Sequence, residues 1–266
     1  MKVRVISSVL MLALFVPLLI VGGMAYRIFM AFLAVLALRE LLKIRQSNRE
    51  MPFILTVISL VFVVFLALNN DRDVTFSYTM DYRLIAGLLF TYLFPLVFIN
   101  DSKKYNLTDA LFLTASTLFI GISFSLFILV RNYSLDYVIY IFLISMVTDT
   151  FALVGGKYIG RHKLAPKISP KKTVEGLICG TFIGVFIPVL YYTTVINSNL
   201  NIFVLIFITI CLSLVGQVGD LVFSFIKREY QQKDFSNIIP GHGGILDRLD
   251  NIIFVVLGFL LFLVVL

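Results

Sequence analysis

The segment from Ser224 to Asp250 combines positive charge, carboxylates and glycine in a chain that is otherwise mostly hydrocarbon. Its ionisable side chains that could hold phosphate or a divalent metal are Lys227, Arg228, Lys233, His242, Asp247, Arg248 and Asp250. A largely apolar chain keeps such a cluster where a polar ligand must be handled, because burial of unpaired charge is costly. Cations, carboxylates and backbone N–H groups together indicate phosphate and a metal ion.

A glycine-rich turn within this segment is suited to binding an anion. It reads Pro240-Gly241-His242-Gly243-Gly244, and glycine allows positive φ and close approach of the backbone to a ligand. Successive N–H groups in such a turn can form an anion-binding nest. The turn gains weight because acidic residues follow it at the start of an apolar run.

Asp247 and Asp250 stand three residues apart and are therefore neighbours on one face of a predicted helix. Mg²⁺ takes hard oxygen ligands, usually one or two carboxylates together with substrate phosphates and water. The same two acids would also suit a helix N-terminus without any metal. That second interpretation leaves Asp220, in the preceding apolar segment, unexplained.

Polar residues in that preceding segment follow helical spacing. Ser213, Gln217, Asp220, Ser224 and Lys227 are separated by steps of 4, 3, 4 and 3, which places all five on one helix face. Such a stripe must face a cavity or a protein partner rather than lipid. Hydrogen bonding between helices explains Ser213 and Gln217, but the lone carboxylate of Asp220 needs a cation.

A second basic region contains six cations, namely Lys157, Arg161, Lys163, Lys167, Lys171 and Lys172. Membrane topology and attraction to anionic headgroups can explain this charge as a whole. The run from Ser169 to Gly176 is more specific, because Ser or Thr ahead of Glu is a capping pattern that would start the next helix. A helix start beside lysines is also a ready anion site, so cap and ligand site can be the same structure.

Asp149 lies inside another apolar run, SMVTDTFALVGG. A carboxylate at membrane depth is by default a functional hypothesis, because its burial is costly. A purely structural ion pair is the alternative interpretation.

The elements that carry these residues are predicted to be membrane-spanning helices. The chain has 266 residues, is 60% hydrophobic and has a mean hydropathy of +1.00, more apolar surface than a soluble domain of this size needs. Runs of about 20 apolar residues span a bilayer as helices, and the alternating strands of a barrel are absent. We predict an all-α polytopic membrane protein with about nine spans, at residues 5–22, 25–42, 52–69, 84–99, 108–130, 136–156, 175–196, 200–224 and 250–266.

Lysine and arginine predict the orientation of these spans. The N-terminus and the even-numbered loops carry 18 of the 22 cations, and the other loops carry only Arg27, Arg72, Arg83 and Arg131. The positive-inside rule places the N-terminus, the even loops and the candidate site at the cytoplasmic face of the inner membrane. This orientation also accounts for the net charge of +7 without a nucleic-acid partner.

The motifs of the C-terminal half resemble those of one known family. Residues 224–250 read S-x-I-K-R-x4-K-D-x-S-x2-I-P-x-H-G-G-I-x-D-R-L-D, which resembles the signature of phosphatidate cytidylyltransferases, also called CDP-diacylglycerol synthases. The segment Gly219-Asp220-Leu221 and the run from Ser169 to Gly176 are also similar to that family. The resemblance covers about Asp149 to Asp250, whereas residues 1–130 resemble the family only in hydropathy.

The sequence departs from the family pattern at two positions. Many members carry Glu immediately before the first Ser of the signature, where this chain has Phe223. Leu153 stands where an aromatic residue is common. Either that Glu is dispensable or another residue replaces it, and no stacking role is expected at residue 153.

The resemblance implies an enzyme of phospholipid biosynthesis that transfers the cytidylyl group of CTP to phosphatidic acid, giving CDP-diacylglycerol and diphosphate with Mg²⁺. One substrate is a soluble triphosphate, CTP or dCTP, and the other is a membrane phosphate. The site must therefore open both to the cytoplasm and sideways to lipid. The resemblance further implies a homodimer, with residues 1–135 as scaffold and dimer surface and residues 136–266 as the catalytic transmembrane region.

We expect a single in-line displacement in which a phosphatidate oxygen attacks the α-phosphorus of CTP and diphosphate leaves. A phosphate monoester is largely dianionic near neutral pH, so it needs little help from a general base. The larger difficulty is bringing two anions together, which metal ions and Lys or Arg side chains relieve.

The resemblance assigns a role in that reaction to each matching residue. The Mg²⁺ ligands would be Asp220 and Asp247, with Asp250 as a further ligand or its neighbour, and Asp149 would bind a second, monovalent cation or orient a lysine. The catalytic and substrate-binding contacts would come from Ser224, Lys227, Arg228, Lys233 and Arg248, and from the backbone of Gly243 and Gly244 toward the diphosphate. His242 would contact a phosphate or protonate the leaving group, and the site would be bordered by Lys171, Lys172, Thr173 and Glu175.

Three other functions remain compatible with parts of the sequence. A CTP-dependent lipid kinase would also need a basic membrane cavity, but it would transfer the γ-phosphoryl group. An anion transporter is disfavoured because the polar residues gather in one half of the chain and no matching interrupted helices are visible. A scaffold that binds anionic lipid would need the basic loops but neither Asp220 nor Asp247.

Overall fold

The computed structural model describes residues 2–46, 51–69, 81–99, 101, 103–196 and 200–263, without the side chains of residues 2–5. Ten α-helices are present in these residues: α1 (Lys2–Val21), α2 (Gly23–Gln46), α3 (Phe53–Leu68), α4 (Tyr82–Leu93), α5 (Pro95–Phe98), α6 (Leu107–Tyr133), α7 (Leu135–Tyr158), α8 (Val174–Tyr191), α9 (Ile202–Glu229) and α10 (Leu246–Phe262). A π-helical turn (Tyr192–Ile196) continues α8, and strands β1 (Lys163–Ala165) and β2 (Ser169–Thr173) form an antiparallel hairpin. The prediction of an all-α membrane protein is confirmed in outline.

Every predicted span overlaps at least one helix among the described residues, and the span predicted at 84–99 falls on two, α4 and α5. In the part of the chain that is described, four helices are long and apolar enough to cross a membrane: Leu107–Tyr133, Leu135–Tyr158, Val174–Ile196 and Ile202–Glu229. Shorter apolar helices occupy Ile6–Val21, Phe53–Leu68 and Tyr82–Phe98. The count of about nine spans stays a prediction. Arg72, which marked an outer loop in the sequence, lies outside the described residues.

The chain forms two compact units. The first comprises Met1–Asn132 with Asp234–Asp247, and the second comprises Tyr133–Lys233 with Arg248–Leu266. The loop at 234–247 thus groups with the N-terminal helices, although its motif belongs to the C-terminal half of the sequence. The expected division into scaffold and catalytic region stays a prediction.

In the first unit, α1 and α2 form a hairpin that turns at Gly22 and Gly23. Gly22 and Gly23 have φ of +66° and +59°, a backbone region that glycine adopts without strain. Arg131 of α6 donates to the carbonyl oxygens of Leu19 and Ile20 at 2.5 and 2.7 Å. Arg131 thereby satisfies carbonyl groups that the end of α1 leaves without helical partners.

Polar contacts also fix the interior of the first unit. Arg45 of α2 pairs at 2.9 Å with Asp109, whose side chain is fully buried on α6. Tyr92 donates through its hydroxyl to Ser59 at 2.7 Å, and the Tyr105 hydroxyl donates to the Tyr92 carbonyl at 2.8 Å. Each contact supplies a partner to a buried polar group that would otherwise be costly.

In the second unit, glycine allows α7 and α8 to approach until their backbones nearly touch. Gly176, Gly180 and Gly184 recur every four residues along α8 and so share one face. A Cβ at Gly180 would lie 2.7 Å from both the Thr148 carbonyl oxygen and the Ala152 Cβ on α7. Small residues at this spacing are the usual means of close helix association in membranes.

The β1–β2 hairpin was not predicted from the sequence. Lys163 pairs with Thr173 and Ala165 with Ser169, and β2 leads directly into α8. Its charged, proline-containing sequence lacks the alternating apolar pattern that signals a strand. Within the second unit, the hairpin places Lys172 of β2 against α9.

Phe223 occupies the family's usual Glu position as a core residue. It is fully buried and meets Phe254 of α10 edge to face, with ring centroids 5.9 Å apart at 89°. Gly219 leaves room for the side chain of Phe254, because a Cβ on residue 219 would lie 2.5 Å from Phe254 Cβ. In this chain the position therefore contributes to packing between α9 and α10.

Candidate active site

The polar stripe of α9 faces protein, as its spacing predicted. Ser213 Oγ lies 2.9 Å from Thr148 Oγ1 on α7, and Gln217 Nε2 donates to Thr181 Oγ1 on α8 at 2.8 Å. Hydrogen bonding between helices therefore accounts for Ser213 and Gln217, the explanation that the sequence offered for these two residues.

Asp220, further along the stripe, pairs with a lysine from the hairpin. Lys172 Nζ lies 2.6 Å from Asp220 Oδ2 and donates to the Gln217 carbonyl at 3.3 Å. Ser224 Oγ donates to the other carboxylate oxygen of Asp220 at 3.3 Å. The two charged side chains are 26% and 25% exposed, so β2 supplies a cation to a carboxylate that a ligand can still reach.

Asp149 of α7 is hydrogen-bonded to an amide. Asn251 Nδ2 on α10 donates to Asp149 Oδ1 at 2.5 Å. Asn251 is buried, and its Oδ1 has no hydrogen-bond partner among the described residues. The sequence analysis missed Asn251, for which adjacency to Asp250 at the end of the signature was the available signal.

The carboxylates of the second unit act on one another electrostatically. Asp149, Asp220 and Asp250 lie close enough for their charges to interact. Two lysines take part as well, since Lys172 interacts with Asp149 and Lys227 with Asp250. The cluster therefore contains three carboxylates and two lysines. An excess of carboxylates over lysines attracts a further cation.

This donor set fits an Mg²⁺ whose coordination is completed by substrate. Among the described residues, no group of three His, Cys, Asp or Glu side chains is arranged to hold a metal by itself. Mg²⁺ commonly takes one or two carboxylates together with phosphates and water, and Asp220 and Asp250 can provide two. The metal-binding roles of Asp149, Asp220, Asp247 and Asp250 stay predictions.

Asp247 belongs to the first unit, where its carboxylate closes the loop at residues 234–247, called the signature loop below. Its Oδ2 accepts the backbone N–H groups of Phe235 and Gly244, each at 2.9 Å. One acid thus joins the two ends of the loop through a contact that sequence spacing did not indicate.

Gly243 and Gly244, near the end of the loop, are each required for a different structural reason. Gly243 has φ of +86°, in the region that favours glycine. Gly244 needs space instead, since a Cβ there would lie 2.5 Å from Glu40 Oε1. The Gly244 N–H already donates to Asp247, so the predicted contact of this group with diphosphate would have to replace that bond.

His242 is held by two serines of α1. Its Nδ1 lies 3.0 Å from Ser7 Oγ and its Nε2 lies 3.1 Å from Ser8 Oγ. Ser7 also donates to the Pro240 carbonyl at 3.1 Å. Contact with a phosphate or proton donation to a leaving group, the two roles predicted for His242, would require it to exchange a serine for substrate.

Glu40 also contacts the signature loop, and the sequence analysis missed it. It lies on α2, and its carboxylate accepts hydrogen bonds from Ser236 Oγ at 2.6 Å and from the N–H groups of Ile245 and Leu246 at 2.8 and 2.9 Å. Its partners stand about 200 positions away in the chain, and no spacing rule reaches that far.

Thr173 and Glu175 hold the junction between the hairpin and α8. Thr173 Oγ1 accepts the Gly176 N–H at 3.1 Å, so the predicted cap is confirmed. Glu175 accepts the N–H groups of Arg161 at 3.0 Å and His162 at 3.1 Å, and also contacts the His162 ring. A role of these two residues in binding substrate stays a prediction.

Most of the cations predicted to hold phosphate are exposed. This group comprises Lys171, Arg228, Lys233 and Arg248. Arg228 also donates through Nε to the Ile168 carbonyl in the hairpin at 3.3 Å. Lys227 differs from them because it is buried.

An apolar groove of about 440 Å³ runs between α8 and α9 in the second unit. Its lining includes Leu177 and Thr181 of α8 and Ile206, Ile210 and Leu214 of α9. Thr181 is also the partner of Gln217, whose carbonyl accepts from the lysine paired with Asp220. Thr181 thus links the groove through Gln217 to the Lys172–Asp220 pair.

The apolar helices and this polar cluster define an all-α membrane protein with a charged site. The chain belongs to the cytidylyltransferase family, whose family model matches residues 2–266. It is 35% identical over 256 residues to the phosphatidate cytidylyltransferase of Staphylococcus haemolyticus (strain JCSC1435), and 37% identical over 256 residues to that of Staphylococcus aureus (strain COL). Each alignment covers 96% of both chains. The resemblance read from the signature is confirmed, and it extends through residues 1–130.

Proposed function

We propose that this protein is a phosphatidate cytidylyltransferase, which forms CDP-diacylglycerol and diphosphate from CTP and phosphatidic acid. The observation that carries the proposal is the pair between Lys172 of the hairpin and Asp220 of α9, accompanied by Asp149 and Asp250 on two further apolar helices. Relatives that are named phosphatidate cytidylyltransferase align along nearly the whole chain, which supports the same reaction.

The chemistry requires two anionic substrates to meet. A phosphatidate oxygen attacks the α-phosphorus of CTP, one P–O bond forms, and the bond to diphosphate breaks. Lysines such as Lys172 and Lys227 reduce the repulsion between the two phosphates. Preorganised charge of this kind is worth far more in a site shielded from water than in bulk solution.

Asp220 would hold Mg²⁺ with Asp250, and with Asp247, which the signature predicts as a ligand beside Asp220. When bound, Mg²⁺ would supply positive charge to the phosphate oxygens of CTP and to the departing diphosphate. Lys172, now paired with Asp220, would then turn toward a phosphate. Asp149 would bind a monovalent cation or keep Lys172 oriented.

The lipid substrate would reach the cluster along the α8–α9 groove. Phosphatidic acid joins a charged phosphate to hydrocarbon chains, and the groove joins hydrocarbon walls to a lysine. An acyl chain beside Ile206 and Ile210 would place the phosphate near Gln217, where the lysine lies.

The proposed orientation in the membrane follows from the distribution of lysine and arginine along the chain. We place about nine spans in the cytoplasmic membrane, with the N-terminus and the candidate site facing the cytoplasm. CTP or dCTP would enter from that side. The protein would act as a homodimer, with the dimer surface in residues 1–135.

Labelled CTP tests the reaction directly. Purified protein in mixed micelles of phosphatidic acid should transfer label from [α-³²P]CTP into the chloroform-extractable lipid and leave γ-label in water-soluble diphosphate. EDTA should abolish transfer and added Mg²⁺ should restore it. Lipid that acquires γ-label instead would identify a CTP-dependent lipid kinase, and the absence of both labels would refute a transferase.

A further inference from the structure

A buried carboxylate from the N-terminal half of the chain holds the signature loop, residues 234–247, and no step proposed above uses it. Glu40 is 1% exposed on α2, beside the buried residues Leu38, Leu41 and Leu42. Loss of hydration makes a carboxylate costly there unless hydrogen bonds or opposite charge compensate.

That compensation comes from both ends of the loop. Glu40 Oε1 accepts from Ser236 Oγ near the beginning of the loop and from the Ile245 N–H near its end, at 2.6 and 2.8 Å. Oε2 accepts from the N–H of Leu246, the first residue of α10, at 2.9 Å. Hydrogen bonds to an ionised acceptor are about twice as strong as neutral ones, and a negative charge is favourable at a helix N-terminus.

The fit leaves no room for a larger residue on the loop. A Cβ at Gly244 would lie 2.5 Å from Oε1 and 2.6 Å from Oε2 of Glu40. Gly244 does not have positive φ, so space for the carboxylate, rather than backbone conformation, explains this glycine.

We propose that Glu40 is a positioning residue for the cytidylyl transfer, an inference that rests on the proposed function. Glu40 fixes the ends of the loop that carries His242 and Asp247, and Asp247 joins the same ends from within. Without Glu40, the loop still forms, but His242 and Asp247 are no longer held in one arrangement. The loss then falls on turnover rather than on nucleotide binding.

The isosteric variant Glu40→Gln tests this role. Whichever way the glutamine amide is turned, its NH2 group meets one N–H donor, of Ile245 or of Leu246, so one hydrogen bond is lost at constant size. We expect kcat to fall about tenfold or more, while the KM for CTP changes by less than about twofold. Ser236→Ala, which removes one neutral donor, should give a smaller loss, and the double variant should lose less than the product of the two because both changes weaken the hydrogen bonding of one side chain, at residue 40.

Hydrogen–deuterium exchange gives a readout that does not depend on activity. In Glu40→Gln, the amides of Ile245 and Leu246 should exchange faster than in the wild type, because a lost partner lowers the free energy of local opening. The control is Glu229→Gln, the same change at an exposed glutamate at the end of α9, which should alter neither exchange nor kcat.

Three outcomes would overturn the inference: wild-type kcat in Glu40→Gln, a lowered kcat with unchanged exchange at Ile245 and Leu246, or a loss that falls on the KM for CTP. If Glu40→Gln fails to fold, Ser236→Ala decides alone, and wild-type kcat and exchange in that variant count against the role. If the wild-type protein makes no CDP-diacylglycerol, the proposed function fails, and exchange still decides whether Glu40 holds the loop.

Discussion

At the scale of single residues, Asp220 is the carboxylate on which the proposed chemistry depends most. Lys172 neutralises it now, and both side chains remain about a quarter exposed. An ion pair of this accessibility contributes little to stability. In the proposed mechanism the pair separates, so that Lys172 contacts a phosphate while Asp220 binds a cation.

Asp220→Asn should therefore lower turnover while leaving the fold intact. Removal of one charge that stabilises the transition state costs about 3 kcal/mol or more, which is some 10²-fold in rate. The measurement is incorporation of α-labelled CTP by purified protein, with size-exclusion chromatography as the check on folding.

The matched control is Asp81→Asn, because Asp81 caps α4 and asparagine caps equally well. This variant should keep full activity. Near-normal incorporation by Asp220→Asn would remove the carboxylate from the mechanism.

Residue patterns predicted part of this site and could not predict the rest. Helical spacing indicated that the α9 stripe faces protein, because contacts within one helix repeat with a known period. The pairing of Asp220 with Lys172 could not be predicted, because the hairpin that carries this lysine was not predictable. Glu40 lay beyond reach, because pairing between residues about 200 positions apart leaves no local signal.

At the scale of elements, glycine sets the distance between α7 and α8. Gly180 faces the Ala152 Cβ and the Thr148 carbonyl, so a side chain there meets backbone that cannot move away easily. Overpacking of this kind typically costs 1–3 kcal/mol.

We expect Gly180→Ala to lower the apparent melting temperature in detergent by several degrees. Gly87→Ala on α4 is the matched control, because the nearest atom to its new Cβ would lie 3.7 Å away, an ordinary contact. Fluorescence-detected size-exclusion chromatography after heating compares the two variants. Equal melting temperatures would show that α7 and α8 can separate to admit a methyl group.

The groove between α8 and α9 supports a second prediction at this scale. Ile210→Phe places a ring where the acyl chain would lie, so the KM for long-chain phosphatidic acid should rise several-fold. The KM for the dihexanoyl lipid should not change, because its short chains would not reach residue 210.

Val61→Phe provides the control for a bulky residue on a lipid-facing helix, since Val61 is half exposed on α3. It should affect neither substrate. A similar rise in KM for both chain lengths in Ile210→Phe would mean that the ring disturbs the protein rather than the lipid.

Element positions were the most predictable part of the fold. Long apolar runs specify helices because backbone groups have no other partner in lipid, and every predicted span contains one. The hairpin escaped prediction because its two strands are short, charged and half exposed. The start of α10 was placed late, at residue 250 instead of Leu246, because Asp247 and Arg248 break the apolar run.

At the scale of the whole molecule, the charge distribution predicts a definite orientation. In a variant with Cys179 and Cys211 replaced by alanine, Arg161→Cys should react with a membrane-impermeant maleimide only from the cytoplasmic side. Arg72→Cys should react only from the outside. Labelling of Arg72→Cys from the cytoplasm would overturn the topology.

The close packing of α7 against α8 limits where a lipid molecule can enter the protein. Because α7 and α8 meet backbone to backbone, they behave as one rigid pair, and a lipid molecule cannot pass between them. Any doorway for lipid beside α8 must therefore be on its opposite flank, along α9. Product would leave by the same side, and an inhibitor wedged there would block entry and exit together.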